Sequence, residues 1–123
     1  MKSNMYKTKT IFCDLDGTLV KHSNPVVIQN PDLELEVLPG THDRLREWDL
    51  NDYYIIITTG RKESSRESTI KQLQRAGIFY DQLIMGFGGA LRYIINDRKP
   101  NSSRDTAYSI NLNRNGGIKN VKI

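Results

Sequence analysis

The residues best suited to chemistry are the two carboxylates of "CDLDGT", residues 13–18. They end an apolar run that reads as a strand over residues 10–14. In an extended chain residues i and i+2 share a face, so Asp14 and Asp16 project the same way. Like charges at that spacing repel. A bound cation, a shared proton or a phosphoryl group can reward the arrangement, and Gly17 frees the backbone for the turn that follows.

Phosphate-ester cleavage needs this kind of equipment. A carboxylate attacks phosphorus in line, a cation neutralises the charge between attacker and substrate, and an acid protonates the leaving oxygen. Asp14 suits the attacker. Asp16 suits the acid, and afterwards the base that activates water against an aspartyl-phosphate. Mg²⁺ takes hard oxygen ligands, which Asp14, Asp16 through its backbone carbonyl, and Asp97 are placed to supply. Thr59 is expected to donate to a phosphoryl oxygen, helped by backbone N–H groups at Gly60 and the helix start after it. A basic residue should neutralise the remaining charge. Lys99, just past the strand that ends at Asp97, is the expected one, with Lys62 and Arg61 in reserve. Lys71 reads as a solvated helix residue, and Arg92 as entering its strand from the end away from the site.

The elements that must position these residues follow from the apolar pattern. "YYIIITTGR" is a continuous apolar run of the kind buried on both faces of a parallel sheet, with a polar ending at Thr58, Thr59 and Gly60. "FYDQLIMGF" and "LRYIIND" predict two further strands, the second ending in Asp97. Between them, Thr41 is expected to cap a helix carrying Leu45 and Trp48, and a helix over residues 63–76 should close at Gly77. The stretch from Leu19 to Glu36, broken by two Asn-Pro steps, predicts a small hairpin or flap. The tail "SINLNRNGGIKNVKI" predicts a short helix or an edge strand. Strand, helix, strand, helix, strand is the order of a doubly wound parallel α/β sheet, whose ligands bind outside the carboxyl ends of the strands. Residues 14, 59 and 97 meet there.

Composition bounds the rest. The 123 residues, 37% hydrophobic and 26% charged, suit one soluble domain spanning residues 1–123. No apolar run reaches a membrane span and the N-terminus lacks a secretory leader, so a cytoplasmic location is expected. The lone Cys13 reads as a small buried apolar residue; "CDLDGTLV" lacks the arginine that a thiol phosphatase would need. A net charge of +4 permits a polyanionic partner, but Lys2, Lys7, Lys9, Arg98, Lys99, Arg104, Arg114, Lys119 and Lys122 are scattered over both ends. Scatter favours solubility over a nucleic-acid groove. His22 and His42 read as surface residues, and "GFGG" at 86–89 as a tight connection without the lysine of a nucleotide loop.

The motifs "DLDGTLV" at 14–20, "IIITTGR" at 55–61 and "YIINDRK" at 93–99 resemble the first, second and fourth motifs of the haloacid dehalogenase superfamily of phosphatases. The resemblance runs from Thr10 to Lys99. It implies a three-layer Rossmann-like fold with Asp14 as nucleophile, Asp16 as acid/base, Thr59 on the phosphate, and Asp14, Asp16 and Asp97 at Mg²⁺. Two departures stand out: Asn96 precedes Asp97 where the family has paired acids, and no lysine clearly fills the third motif. The short stretch after the first motif resembles the capless group. An open site implies a bulky substrate or closure by a neighbouring subunit, and hence a homo-oligomer. Capless members include sugar-phosphate phosphatases of cell-surface carbohydrate pathways, the favoured reading for a small phosphorylated substrate, and polynucleotide 3′-phosphatases. The other class of function is a phosphoacceptor or receiver-like binding module, or a relative that binds phosphorylated partners without turnover. Receivers, however, carry their phosphorylated aspartate on the third strand, where this sequence has no acid at the strand end.

Overall fold

The computed structural model describes residues 8–123; Lys2 and Lys7, named above among the scattered charges, lie outside the described residues. Three parallel strands, β1 (Thr10–Asp14), β2 (Tyr54–Thr58) and β3 (Gln82–Ile84), lie side by side in that order. Asp14 pairs in register with Thr58, and Ile57 with Leu83. The chain crosses from β1 to β2 through α1 (Pro25–Ile28) and α2 (Thr41–Leu50). From β2 to β3 it crosses through a 3₁₀ turn (Glu63–Ser65) running into α3 (Arg66–Arg75). The parallel α/β sheet without a cap domain is as the sequence predicts.

Each long helix has local reasons to form. Asp43 and Glu67 stand in first turns, where the helix dipole favours negative charge, and Arg75 stands in the last turn of α3. Gly77, at φ +70, ends α3 by donating its N–H to the Gln74 carbonyl. Thr41 is the first residue of α2, with Gly40 as its N-cap. The Thr41 hydroxyl is therefore free to donate to the Leu19 carbonyl, at 2.7 Å, and ties the helix to the end of the first motif.

Strand order β1-β2-β3 with parallel pairing makes both crossovers run in the same direction, and both long helices pack into one core cluster on one face of the sheet. Leu45 and Trp48 of α2 and Leu73 of α3 join Ile11, Cys13, Ile55, Ile57 and Leu83 in one buried cluster. On the other face, where the sequence predicts a further layer, no described helix joins the cluster. Phe12, whose side chain alternates to that face, is 55% exposed.

The flap is smaller than a hairpin. Val20 and Val37 form one antiparallel bridge, closed by Lys21 N–H to the Glu36 carbonyl and Leu38 N–H to the Leu19 carbonyl. The single turn α1 fills the loop, its N-terminus capped by the Asn24 side chain on the Val26 N–H.

Two expectations fail. "LRYIIND" is not a strand: residues 91–112 have no regular structure and are exposed apart from half-buried Ala107. A strand exists only through its ladder. The β propensity of Tyr93, Ile94 and Ile95 records fitness for a pleated surface, not pairing, and here β1 remains an edge. The tail, for its part, forms neither helix nor strand but a strap. The Asn115 N–H bonds the Gly17 carbonyl, the Ile118 N–H bonds the Pro39 carbonyl, and Ile118 enters the core at 2% exposure. A Cβ on Gly117 would stand 2.5 Å from the Pro39 carbonyl oxygen, so only glycine lets the strap lie so close.

Truncating that anchor leaves a cavity. Ile118→Ala should lower unfolding free energy by about 3 kcal/mol in urea titration; a change below about 0.5 kcal/mol would mean that the strap does not anchor through its core contact.

Candidate active site

The turn after β1 is wound around one carbonyl. The N–H groups of Thr18, Leu19 and Val20 all approach the Leu15 oxygen, and Gly17, at φ +89, donates to the Val20 carbonyl. This winding leaves Asp14 at the carboxyl edge of the sheet, with Asp16 one step beyond. The Thr18 hydroxyl donates to Asp14 Oδ2 at 3.2 Å. Burial pushes the Asp14 carboxyl above its ordinary pKa and the Asp16 charge adds to that, while the Thr18 hydrogen bond and the Arg92 charge oppose it. Asp14 makes no ion pair among the described residues.

Asp16 is held quite differently. Arg61 Nε donates to its Oδ2 at 2.9 Å and Arg61 Nη2 to its Oδ1 at 2.8 Å, a two-pronged pair. The buried Thr59 hydroxyl donates to the same Oδ2 at 3.2 Å and accepts the Arg61 N–H at 3.2 Å. Thr59 therefore meets Asp16 in this arrangement. Arg61, a reserve phosphate ligand in the sequence reading, is 6% exposed and committed to Asp16, Thr69 and Gln72.

Gly60 owes its place to a close approach. A Cβ there would lie 2.4 Å from the Gly88 oxygen, so any side chain would drive the 86–89 loop away from β2. That loop in turn carries Arg92, whose Nη2 donates to the Gly88 carbonyl at 3.2 Å and whose guanidinium lies 4.6 Å from the centre of the Phe87 ring. Arg92 was expected at the far end of a strand. With no strand formed, Arg92 bonds back to the loop before it, and its charge reaches Asp14.

The structure brings together Asp14, Asp16, Thr59 and Gly60 but not Asp97 or Lys99. Those two lie in the exposed 91–112 segment, which is satisfied locally. Thr106 donates to the Asp97 carbonyl, Asn96 to the Thr106 hydroxyl at 2.7 Å, and Arg98 pairs with Asp105 at 2.9 Å. Lys71 pairs with Glu67 one helical turn away, as a surface residue does. Among the described residues no three His, Cys, Asp or Glu side chains are grouped to hold a metal. The hard oxygens of Asp14 and Asp16 suit Mg²⁺ in kind, but without Asp97 the donor set is incomplete. The thiol of Cys13 is pushed up to about 12, chiefly by burial, so it stays protonated and is no nucleophile.

Sequence reasoning missed Gln72, which is fully buried. One signal was available: Ser65, Ser68, Thr69 and Gln72 recur at helical spacing and are all buried, a polar stripe where an apolar one is the rule. It also missed the strap. Asn115 Oδ1 accepts the His22 N–H at 2.9 Å while its own N–H holds Gly17, joining the flap to the turn after β1. Arg114 lies along Gly17, its Cγ 3.2 Å from where a Cβ would stand.

A family model described as haloacid dehalogenase-like hydrolase matches residues 11–100. No curated protein matches the chain. Among solved structures, a Pnkp1/Rnl/Hen1 complex is similar over 73% of this chain and 32% of its own, at 25% identity and TM-score 0.56. A second structure of the Pnkp1/Rnl/Hen1 RNA repair complex is similar over 82% of this chain and 29% of its own, at 24% identity and TM-score 0.54. A D,D-heptose 1,7-bisphosphate phosphatase from B. bronchiseptica, complexed with magnesium and phosphate, is 21% identical over 67% of this chain and 51% of its own, with TM-score 0.52. This chain thus spans about a third of the length of the first two.

The raised Asp14 pKa has a stability consequence. A carboxyl whose folded pKa is raised favours the folded state below the unfolded pKa, and that contribution is lost as pH rises through the folded value. In chelator-treated buffer at pH 7, Asp14→Asn should therefore melt at a higher temperature than wild type. The difference should shrink as pH falls below the ordinary carboxylate range; a lower melting temperature at pH 7 would contradict the burial penalty.

Proposed function

Since the chain belongs to the haloacid dehalogenase-like hydrolase family, we propose that it is a Mg²⁺-dependent phosphomonoesterase working through an aspartyl-phosphate on Asp14. The observation that carries this reading is the asymmetry of the two aspartates. Asp14 makes no ion pair among the described residues and is under the influence of the Arg92 charge, as suits an attacking group, whereas Asp16 is oriented by Arg61.

In the first half-reaction an Asp14 oxygen forms a bond to phosphorus as the ester P–O bond breaks, and Asp16 delivers a proton to the leaving oxygen. In the second, Asp16 takes a proton from water, whose oxygen bonds phosphorus and releases Asp14 with inorganic phosphate. Asp16 Oδ1 accepts a single hydrogen bond from Arg61 Nη2, so its second lone pair can carry that proton while Arg61 keeps the carboxylate oriented. Thr59 and the Gly60 N–H serve the phosphoryl oxygens, the Thr59 hydroxyl by exchanging Asp16 Oδ2 for a phosphoryl oxygen as acceptor. Arg92 takes the charge-neutralising role, with Lys99 the alternative if its segment folds onto the sheet.

The proposed cation ligands are Asp14, the Asp16 carbonyl and Asp97; bound there, Mg²⁺ would neutralise charge between carboxylate and phosphate. This requires residues 91–97 to pair along the free edge of β1. Their exposure supports that pairing: Leu91, Tyr93 and Ile95 are 84%, 84% and 97% exposed, apolar surface that a place in the sheet would bury.

For the substrate we favour a small sugar phosphate. Arg44, Arg61, Arg66, Lys71, Arg75 and Arg98 are each paired with a carboxylate, which reduces the positive charge those positions could offer a nucleic-acid backbone. A second reading, a polynucleotide 3′-phosphatase, is supported by likeness to the RNA repair complexes. No described helix is long and apolar enough to cross a membrane. With the protonated, unpaired Cys13, this fits the proposed cytoplasmic setting. One domain over residues 1–123 and closure of the open site in a homo-oligomer complete the proposal.

The test is phosphate release from sugar phosphates, nucleotides and 3′-phosphorylated oligonucleotides, with Mg²⁺ or chelator. Turnover should need Mg²⁺ and fall about a thousandfold or more in Asp14→Asn. Arg92→Ala should raise KM roughly tenfold, the worth of one charge-assisted hydrogen bond. Full activity in Asp14→Asn would sink the mechanism, and preference for 3′-phosphorylated oligonucleotides over every sugar phosphate would install the second reading.

A further inference from the structure

Gln72 is the one amide on the buried side of α3 that touches both the acid's arginine and the flap. Its Oε1 accepts Arg61 Nη1 at 2.7 Å, and its Nε2 donates to the carbonyls of Ile28 at 2.7 Å and Asn30 at 2.8 Å. All three partners are committed in sense: a guanidinium can only donate and a carbonyl can only accept. The amide therefore cannot flip without facing donor to donor and acceptor to acceptor. It is also fully buried, where a broken polar contact has no water to replace it.

Arg61 is gripped at both ends. Nη1 is shared between Gln72 and the Thr69 hydroxyl, at 3.0 Å, while Nε and Nη2 hold the two oxygens of Asp16. The guanidinium is planar and rigid, so a tilt imposed at Nη1 is passed to the fork that faces Asp16. The same α3 surface carries Ser68, whose hydroxyl also reaches the Ile28 carbonyl at 3.2 Å.

We propose that Gln72 is a positioning residue for the acid: it registers Arg61 against the flap at Ile28 and Asn30, and through Arg61 sets the direction of the Asp16 carboxylate. The proposal rests on the phosphomonoesterase reading. A flap displaced by a substrate pulls on Gln72, so the position of the flap and the orientation of the acid are linked by two hydrogen-bonded side chains.

Leaving-group dependence separates this role from a merely structural one, because an acid matters in proportion to the basicity of the oxygen that departs. The variant is Gln72→Met, close in volume and unable to accept from Arg61 or to donate to the flap. The probes are glycerol 2-phosphate, whose alkoxide leaves poorly, and p-nitrophenyl phosphate, whose phenolate leaves well. Turnover of glycerol 2-phosphate should fall on the order of tenfold, a fraction of what general-acid catalysis supplies, while that of p-nitrophenyl phosphate stays within about twofold. An equal loss on both probes, or none on either, overturns the proposal. Should Gln72→Met fail to fold by circular dichroism, Thr69→Val removes the other acceptor of Arg61 Nη1 without changing shape; the same selective loss is expected there, and its absence refutes the coupling. Wild type inactive on both probes would refute the phosphomonoesterase reading itself, and this inference with it.

Discussion

The pair between Arg61 and Asp16 is the interaction on which the rest of the site depends. It joins the turn after β1 to the loop after β2, two segments 45 residues apart in the chain. Burying a guanidinium and a carboxylate is costly, and the cost is offset only if almost every donor finds an acceptor. Here Nε and Nη2 take Asp16 and Nη1 takes Thr69 and Gln72. Lysine, with a single point of charge, could not span carboxylate, hydroxyl and amide in one plane. Two members of the buried polar stripe, Thr69 and Gln72, serve this arginine, and the helix forgoes apolar packing along that line.

Around this pair the molecule arranges its moving and fixed parts asymmetrically. On one side the flap is joined to α3 by side-chain bonds from Ser68 and Gln72 and closes on itself through a single bridge. On the other, the strap at Asn115 and Ile118 fastens the turn after β1 and the flap's end to the core. The strap lies beyond the 11–100 span of the family match. Asp14 sits between them, half-buried and carrying an elevated pKa that Arg92 partly offsets. A carboxylate kept short of full solvation and full pairing is more reactive toward an electrophile than one locked in a salt bridge.

What was legible in the sequence and what was not divide along a physical line. The runs before Asp14 and Thr59 announced strands because their pattern is local: continuous apolar residues, then a polar end and a glycine. The α3 boundaries were legible for the same reason, with Gly77 as the stop. "LRYIIND" has equally good local credentials, yet it forms no strand because pairing needs a partner that local pattern cannot supply. Asp97, Lys99 and Arg92 were misplaced together, since all three positions were inferred from that one strand.

The sequence by itself determined the chemistry that is available: Asp14 and Asp16 on one face, Thr59 and Gly60 at the next strand end, and a parallel α/β frame to bring them to a common edge. These follow from spacing and from the periodicity of the backbone, which any stretch of chain carries within itself. Only the tertiary structure decided that Asp16 is paired while Asp14 makes no ion pair among the described residues, that Arg61 holds Asp16, and that Gln72 links Arg61 to the flap. Those outcomes depend on contacts between residues dozens of positions apart, whose energy resides in mutual geometry and is absent from either segment alone.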